Sequence, residues 1–120
     1  MLSVGVDLIE TDRIARALER WGDRFLQYVY TSAELDYCRW HVPELAARFA
    51  AKEAVSKALG TGLRGIRWRE MEILPDSRGK PIVRLHGRAK RRADALGLDE
   101  FAISLSHSRR YAIAFVVASD

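Results

Sequence analysis

Residues 48 to 62 read Arg-Phe-Ala-Ala-Lys-Glu-Ala-Val-Ser-Lys-Ala-Leu-Gly-Thr-Gly, which is the most helix-favouring segment of the chain. Alanine, lysine, glutamate and leucine all favour the α-helix. Pro43 and Glu44 supply a helix start upstream, and Gly60 supplies a C-terminal stop. We therefore predict one long central helix against which the other elements pack.

The charges of this helix do not lie opposite its apolar face. At 100° per residue one sector holds the bulky apolar side chains Leu45, Phe49, Val55 and Leu59. Arg48 and Lys52 fall inside that sector, and Glu53 lies at its edge. Two interpretations are open. In the first, the long side chains of Arg48 and Lys52 extend to carry their charges to solvent, and a Glu53–Lys57 ion pair adds about 0.3 to 0.5 kcal/mol of helix stability. In the second, this face of the helix borders a cleft that holds a metal ion and phosphate groups.

Length and composition set the class of protein. A chain of 120 residues is predicted to form a single domain over residues 1–120, and its composition is ordinary for a globular protein. The N-terminus has no export signal and no apolar run is long enough for a bilayer, so we expect a cytoplasmic protein without membrane contact. Cys38 is the only cysteine, which excludes an internal disulfide. The net charge of +4 favours an anionic partner: nucleic acid, a nucleotide or an acidic protein.

Near the N-terminus, Ser3 to Ile9 alternates in the pattern of a short strand. Asp7 lies within it, where aspartate is disfavoured. Asp7 either ends the strand and caps a helix that begins near Thr11, or serves as a ligand together with the equally unusual Glu53.

The following helix, predicted over Thr11–Arg20, carries a basic ridge. Its buried stripe is predicted to contain Ile14, Ala17, Leu18 and Trp21. If helical geometry continues past Gly22, a sector of about 80° holds Arg13, Arg16, Arg20 and Arg24, with Phe25 beside the last. Such a ridge is either a solvated face or a docking surface for an acidic partner.

The remaining elements predict an α+β fold with a small antiparallel sheet. Thr31–Glu34 forms a capping box that opens a helix through Trp40. A hairpin is predicted from the strands Glu70–Leu74 and Ile82–Leu85, with Met71 and Ile73 buried. A helix is predicted over Gly87–Gly97, with four basic side chains facing outward: Arg88, Lys90, Arg91 and Arg92. A second hairpin is predicted from the strands Phe101–Ser106 and Tyr111–Ala118. The last strand is apolar on both faces, so a second copy of the chain is expected to cover one of them.

Common catalytic signatures are absent from the chain. It has no P-loop, dinucleotide-binding, metalloprotease or nucleophile-elbow motif. Asp7 and Glu53, with Arg48, Lys52 and Lys57 nearby in sequence, fit Mg²⁺ held by few protein oxygens together with substrate phosphates. His107 lies in a turn after Ser106; it is either a surface residue or a phosphate contact.

Four motifs together resemble the holo-acyl-carrier-protein synthase group of 4'-phosphopantetheinyl transferases. They are Gly5-Val-Asp-Leu-Ile-Glu with Arg13-Ile14, Arg48-Phe-Ala-Ala-Lys-Glu-Ala with Lys57-Ala-Leu-Gly-Thr-Gly, Gly79-Lys-Pro, and Ser104-Leu-Ser-His. The resemblance covers nearly the whole chain in order. It implies Mg²⁺-dependent transfer of 4'-phosphopantetheine from coenzyme A to a serine of acyl carrier protein in fatty acid biosynthesis, with release of adenosine 3',5'-bisphosphate. It also implies a homotrimer whose active sites lie between subunits.

The resemblance also implies a role for each matching position. Asp7 and Glu53 would hold the metal, and Lys57 would neutralise the leaving phosphate. Seven residues would contact coenzyme A, some of them from a neighbouring subunit: Arg48, Lys57, Gly79, Lys80, Pro81, Ser106 and His107. The acidic carrier would dock on Arg13, Arg16, Arg20, Arg24 and Phe25. The competing interpretation is a small basic module that binds nucleic acid without catalysis through the basic segment Arg78 to Arg92, although that segment has no exposed stacking aromatics among its basic residues.

Overall fold

The computed structural model of the protein describes residues 1–120 and confirms the α+β class. In chain order the elements are β1 (Leu2–Glu10), α1 (Thr11–Trp21), α2 (Asp23–Val29), α3 (Ser32–Cys38), α4 (Val42–Ala58), a short 3-10 helix (Trp68–Glu70), β2 (Met71–Pro75), β3 (Pro81–Leu85), α5 (Gly87–Leu96), β4 (Glu100–His107) and β5 (Tyr111–Ser119). No helix among them has both the length and the hydrophobicity needed to traverse a bilayer.

The strands form two antiparallel sheets. The larger has the order β1-β5-β4, so the last strand of the chain lies at its centre, and β2 and β3 form a separate hairpin. In the larger sheet Asp7 lies opposite Ala114, and Ile103 lies opposite Val116. The first strand is therefore held in place by residues more than a hundred positions later.

Helix α4 is the predicted central helix, and it packs on the inner face of the larger sheet. Small side chains make the close approach possible, since Ala112, Ala114 and Ala118 of β5 are fully buried. Gly5 of β1 lies against the helix backbone: a Cβ placed there would collide with the carbonyl oxygen of Ala54. The helix is buried around nearly its whole circumference, which explains why its sequence lacks a clean polar face.

The outer face of the larger sheet is apolar and uncovered within the chain. Alternate residues of β1 and β5 point outward and are exposed: Val4, Val6, Leu8, Ile113 and Phe115. The inner residues of β5 are buried under α4. The last strand is thus apolar on both faces, as predicted, and what covers the outer face stays a prediction.

The region around Gly22 differs from the predicted continuous helix. Gly22 adopts φ +52°, and the chain breaks there into α1 and the separate α2. Arg24 and Phe25 therefore belong to a different helix from Arg13, Arg16 and Arg20. The prediction that Trp21 is buried is also wrong: its side chain, at the C-terminal end of α1, is 49% exposed.

Two side chains predicted to face solvent are instead held by partners. Glu72 alternates with Met71 and Ile73 but is buried, because its carboxylate accepts a hydrogen bond from Thr31 Oγ1 and contacts His86 Nε2 at 3.2 Å. Arg92 is partly buried, and its Nε donates to the Leu59 carbonyl at the end of α4. Both errors come from partners that are distant in sequence.

Candidate functional site

The site is built where β1 faces α4. Asp7 lies in the middle of β1 and points to the same side as Gly5 and Ile9, which is the side covered by α4. The strand continues to Glu10, and no side chain caps the helix that begins at Thr11. The interpretation of Asp7 as a strand end or helix cap is therefore wrong, and its carboxylate is directed at the central helix.

Lys57 of α4 binds Asp7 directly. Its Nζ donates to Asp7 Oδ1 at 3.0 Å and to the Val6 carbonyl at 2.9 Å. The predicted pair between Glu53 and Lys57 on the helix surface does not form, because the lysine reaches across to the strand instead. The sheet edge thus brings together a carboxylate, a carbonyl oxygen and an ammonium group.

Glu53 is the second carboxylate of this group. Burial raises its pKa above the usual value, and the nearby negative charge of Asp7 raises it further, while Arg13 and Lys57 act in the opposite direction. The interaction with Asp7 means that the two carboxylates are near enough to repel each other. Such a pair favours a bound cation.

The donor set suits a hard divalent cation. The chain contains no group of three or more histidine, cysteine or acidic side chains that could enclose a metal. Asp7 and Glu53 alone would leave most coordination positions to water and to a ligand's phosphates, which is how Mg²⁺ is commonly held. The residues present therefore fit Mg²⁺, whereas they do not fit a closed zinc site.

Lys52 does not belong to this site, contrary to both interpretations made from the sequence. Its side chain is completely buried, and Nζ contacts Glu34 Oε1 at 2.7 Å and the carbonyl oxygens of Met71 and Trp68 at 2.7 and 3.0 Å. Burial lowers the pKa of Lys52, and Glu34 opposes that effect. The lysine connects α4 to α3 and β2 instead of reaching solvent or a phosphate.

Arg48 lies apart from Asp7 and Glu53 within the chain. It is buried, its Nη1 contacts Glu44 Oε2 at 2.6 Å, and its guanidinium lies 4.6 Å from the centre of the Tyr37 ring. Its Nε is buried without a hydrogen-bond partner. These contacts are with α3 and its own helix, and no hydrogen bond or ion pair joins Arg48 to Asp7 or Glu53.

The other predicted coenzyme A contacts lie in two exposed segments. Gly79 and Lys80 lie in the turn that joins β2 to β3, and Pro81 is the first residue of β3. Asp76 Oδ1 fixes the turn by accepting hydrogen bonds from the Arg78 and Lys80 amides. Ser106 and His107 are exposed at the end of β4, so His107 is the last residue of the strand, opposite Ala112, and the prediction that it lies in the turn is wrong. No hydrogen bond or ion pair joins either segment to Asp7 or Glu53.

The arginines of the predicted ridge are exposed and carry unpaired charges. No ion pair involves Arg13, Arg16, Arg20 or Arg24. Arg13 lies 5.4 Å from the centre of the Phe49 ring and is close enough to Glu53 to lower that group's pKa. Phe25 is half-buried and stacks on Phe49, with ring centres 6.2 Å apart. Arg13 and Phe49 thereby connect the ridge to the carboxylate site.

Comparison with known proteins gives the family. Residues 3–116 match the 4'-phosphopantetheinyl transferase superfamily. The chain belongs to this superfamily. A protein of Herpetosiphon aurantiacus named holo-[acyl-carrier-protein] synthase is 55% identical over 124 residues, covering 98% of each chain. A second relative with this name, from Dehalococcoides mccartyi, is 50% identical over the full length of both.

Solved structures of the superfamily have the same fold. The holo-[acyl-carrier-protein] synthase of Neisseria meningitidis aligns with a TM-score of 0.89 at 35% identity over 98% of both chains. That of Helicobacter pylori, solved in complex with coenzyme A, aligns with a TM-score of 0.89 at 29% identity over 97% of this chain and 99% of its own. The family and enzyme class expected from the four motifs are confirmed.

Proposed function

We propose that the chain is a holo-acyl-carrier-protein synthase that transfers 4'-phosphopantetheine from coenzyme A to a serine of apo acyl carrier protein. The observation that carries this proposal is the Asp7–Lys57 contact beside Glu53, in a chain of this superfamily. The coenzyme A bound to the Helicobacter pylori relative supports the choice of substrate. Residues 1–120 act as one transferase domain, in the cytoplasm and in fatty acid biosynthesis.

The reaction needs positioning and charge neutralisation more than a covalent nucleophile. The carrier serine oxygen attacks the phosphorus that bears the pantetheine arm, and the serine proton passes to solvent water. A new P–O bond forms, and the P–O bond to adenosine 3',5'-bisphosphate breaks with its electron pair on the bisphosphate. Lys57, whose three N–H groups lie at the site, neutralises the charge that develops on this leaving group.

Asp7 and Glu53 hold Mg²⁺ in this proposal. The ion supplies neutralisation of the pyrophosphate charge when it is bound. Two carboxylates on different elements, one on β1 and one on α4, fix the direction from which phosphates approach. The close packing at Gly5 sets the distance between these elements, so the carboxylates are held in place before the substrate binds.

The coenzyme A site is shared between subunits of a homotrimer in this proposal. Lys57, Gly79, Lys80, Pro81 and Ser106 contact coenzyme A, with Arg48 and His107 contributed by the neighbouring subunit. The separation of Arg48 from Asp7 within one chain supports sharing. The exposed apolar outer face of the sheet supports association of several copies.

The acidic carrier docks on the basic ridge in this proposal, contacting Arg13, Arg16, Arg20, Arg24 and Phe25. Their exposed, unpaired charges support an anionic partner. Arg13 lies both on this ridge and beside Glu53, so a docked carrier would present its serine near the carboxylate site. The ridge therefore both attracts and orients the second substrate.

Mass spectrometry of apo acyl carrier protein tests the transfer. Incubation with the chain, coenzyme A and Mg²⁺ should add one phosphopantetheine group to the carrier, and addition of a chelator should stop the reaction. Asp7→Ala and Glu53→Ala should each remove activity while thermal melts remain cooperative. If generic nucleic acid binds with sub-micromolar affinity and a steep salt slope while the carrier is never modified, the transferase proposal is wrong.

Mixing two inactive variants tests the shared site. Co-refolded Glu53→Ala and Arg48→Ala chains should regain partial activity, because some interfaces would unite two intact halves. Light scattering establishes whether the refolded protein is trimeric. A monomer at the assay concentration, or mixed trimers without activity, would contradict the sharing of residues between subunits.

A further inference from the structure

An open cavity lies between α2 and the segment that follows α4. Its volume is about 710 Å³, within the range of small-molecule sites. Gln27 and Tyr28 of α2 line it, together with Leu63, Ile66 and Trp68 of the later segment. None of the residues that the proposed function uses lines this cavity. The proposed function therefore leaves it without a ligand.

Two connections place the cavity next to the carboxylate site. Trp68 stacks on Phe49 with ring centres 4.5 Å apart, and Phe49 lies one helical turn before Glu53 on the same side of α4. Helix α4 ends at Ala58, one residue after Lys57, and the segment that lines the cavity begins there. The cavity is therefore within reach of a ligand whose phosphates lie at Glu53 and Lys57. In coenzyme A, the part that extends from the pyrophosphate toward the thiol is the long pantetheine arm.

Two arginines without ion-pair partners line the cavity. Arg67 and Arg69 flank Trp68 in sequence, and both are exposed. Neither takes part in an ion pair. Glu70 is the only carboxylate of the lining, and its two oxygens accept hydrogen bonds from the backbone amides of Arg67 and Arg88 at 2.7 and 2.8 Å. Both guanidinium groups thus remain available to a ligand.

Unmodified coenzyme A does not use this combination of groups. A thiol with the ordinary pKa of a cysteine is mostly uncharged at neutral pH, so it offers no partner to two guanidinium groups. An acyl group on the thiol would fill the apolar part of the cavity beside Ile66 and Trp68. A carboxylate at the end of that acyl group would pair with the arginines, whose planar donor geometry matches it.

We propose that this cavity binds the acyl group of an acylated coenzyme A, and that Arg67 and Arg69 favour acyl groups that end in a carboxylate. This inference rests on the proposed function and adds a class of acyl substrate to it. The thioester remains intact in the transfer. The serine oxygen forms its bond to phosphorus, the serine proton passes to solvent water, and the bond to the leaving bisphosphate breaks with its electron pair on the bisphosphate. The carrier is thereby acylated in the same step in which it receives its arm.

Two substrates of similar shape test the inference. Malonyl-coenzyme A ends in a carboxylate where isovaleryl-coenzyme A ends in an isopropyl group. Wild type should use malonyl-coenzyme A with a kcat/KM about tenfold higher, because hydrogen bonds to a charged group are strong. Arg67→Gln and Arg69→Gln should each remove most of this advantage by raising KM for malonyl-coenzyme A, while the constants for isovaleryl-coenzyme A stay unchanged. Arg69→Lys keeps the charge and should retain part of the advantage.

The matched control is Arg64→Gln. This change removes an exposed arginine of the same segment that has no ion-pair partner and does not line the cavity. Calorimetry without the carrier gives a second readout: malonyl-coenzyme A should bind wild type and Arg64→Gln more tightly than isovaleryl-coenzyme A does, and this difference should be lost in Arg69→Gln. Mass spectrometry of the carrier should show the mass of the intact malonyl-phosphopantetheine group.

The outcomes separate this inference from the proposed function. A wild type that modifies the carrier from unmodified coenzyme A, but uses the two acylated substrates within about twofold of each other, would overturn the inference and leave the proposed function standing. An Arg64→Gln variant that loses the malonyl advantage as fully as Arg67→Gln and Arg69→Gln would also overturn it, because the effect would then come from overall charge. A wild-type chain that transfers from no form of coenzyme A would instead refute the proposed function itself.

Discussion

Lys52→Met tests whether this buried lysine is structural. Its ammonium group has three N–H donors, and all three have partners: Glu34 and the carbonyl oxygens of Trp68 and Met71. Methionine has nearly the same volume, so the change leaves little cavity. It does leave a fully buried carboxylate without a cation and two carbonyls without donors. Breaking a buried ion pair in this way costs about 3–5 kcal/mol.

Urea unfolding measures that loss directly. For a domain of this size 1 kcal/mol shifts Tm by about 3–6 °C, so in a thermal melt the variant should unfold about 10–30 °C lower. The double variant Glu34→Gln, Lys52→Met should recover part of the loss, because the buried charge is removed. Lys90→Met is the control, since its exposed pair with Asp94 should contribute about 0–1 kcal/mol. A Lys52→Met chain of wild-type stability but without activity would refute this reasoning and place Lys52 at the phosphates.

Three further perturbations have defined outcomes. Gly5→Ala should lower both Tm and kcat, since the new Cβ forces β1 away from Ala54 and displaces Asp7; a calorimetric melt and the carrier assay check this, and an unchanged kcat would contradict it. Hydrogen bonds to the Glu72 carboxylate outweigh the effect of its burial and lower its pKa below 4.5, so its contribution to stability is present above pH 4.5 and is lost as pH falls through the lowered pKa. Urea titrations at several pH values should therefore show that Glu72→Gln loses less unfolding free energy on acidification than wild type does. Arg16→Glu should raise KM for the carrier more than KM for coenzyme A, and steady-state kinetics should show the difference shrinking with salt; equal effects on both would remove Arg16 from the docking surface.

The central helix and the two carboxylates could be predicted because their signals are local. Pro43 and Gly60 mark the ends of the helix within a few residues, although it actually spans Val42–Ala58. Asp7 interrupts the pattern of its own strand, and Glu53 lies at the edge of an apolar sector. Each signal can be recognised without knowing what lies opposite in the fold.

The roles of Lys52 and Trp21 could not be predicted, because they depend on where other elements pack. The partner of Lys52 is Glu34, which lies on α3. The Glu34 carboxylate also accepts hydrogen bonds from the backbone amides of Thr31, in the capping box, and Ile73. Trp21 has the spacing of a core residue, but Gly22 ends the helix immediately after it and leaves its ring in solvent. Side-chain spacing gives the direction in which a residue points from its own helix, but it does not give the identity of the neighbouring element or whether that direction is solvent.

The pairing of β1 with β5 also determines how the chain can fold. Residues 2 to 10 find their strand partners at 111 to 119, so the sheet cannot close until almost the whole domain has left the ribosome. Until then β1 is unpaired and its apolar residues Val4, Val6 and Leu8 are exposed to non-native contacts. Long-range pairing of this kind also slows folding. The same pairing places the amino group of Met1 3.1 Å from the Asp120 carboxylate. A circular permutant that joined these ends and opened at the 76–79 turn would make β1 and β5 neighbours in sequence, converting the slowest contact of the sheet into a hairpin.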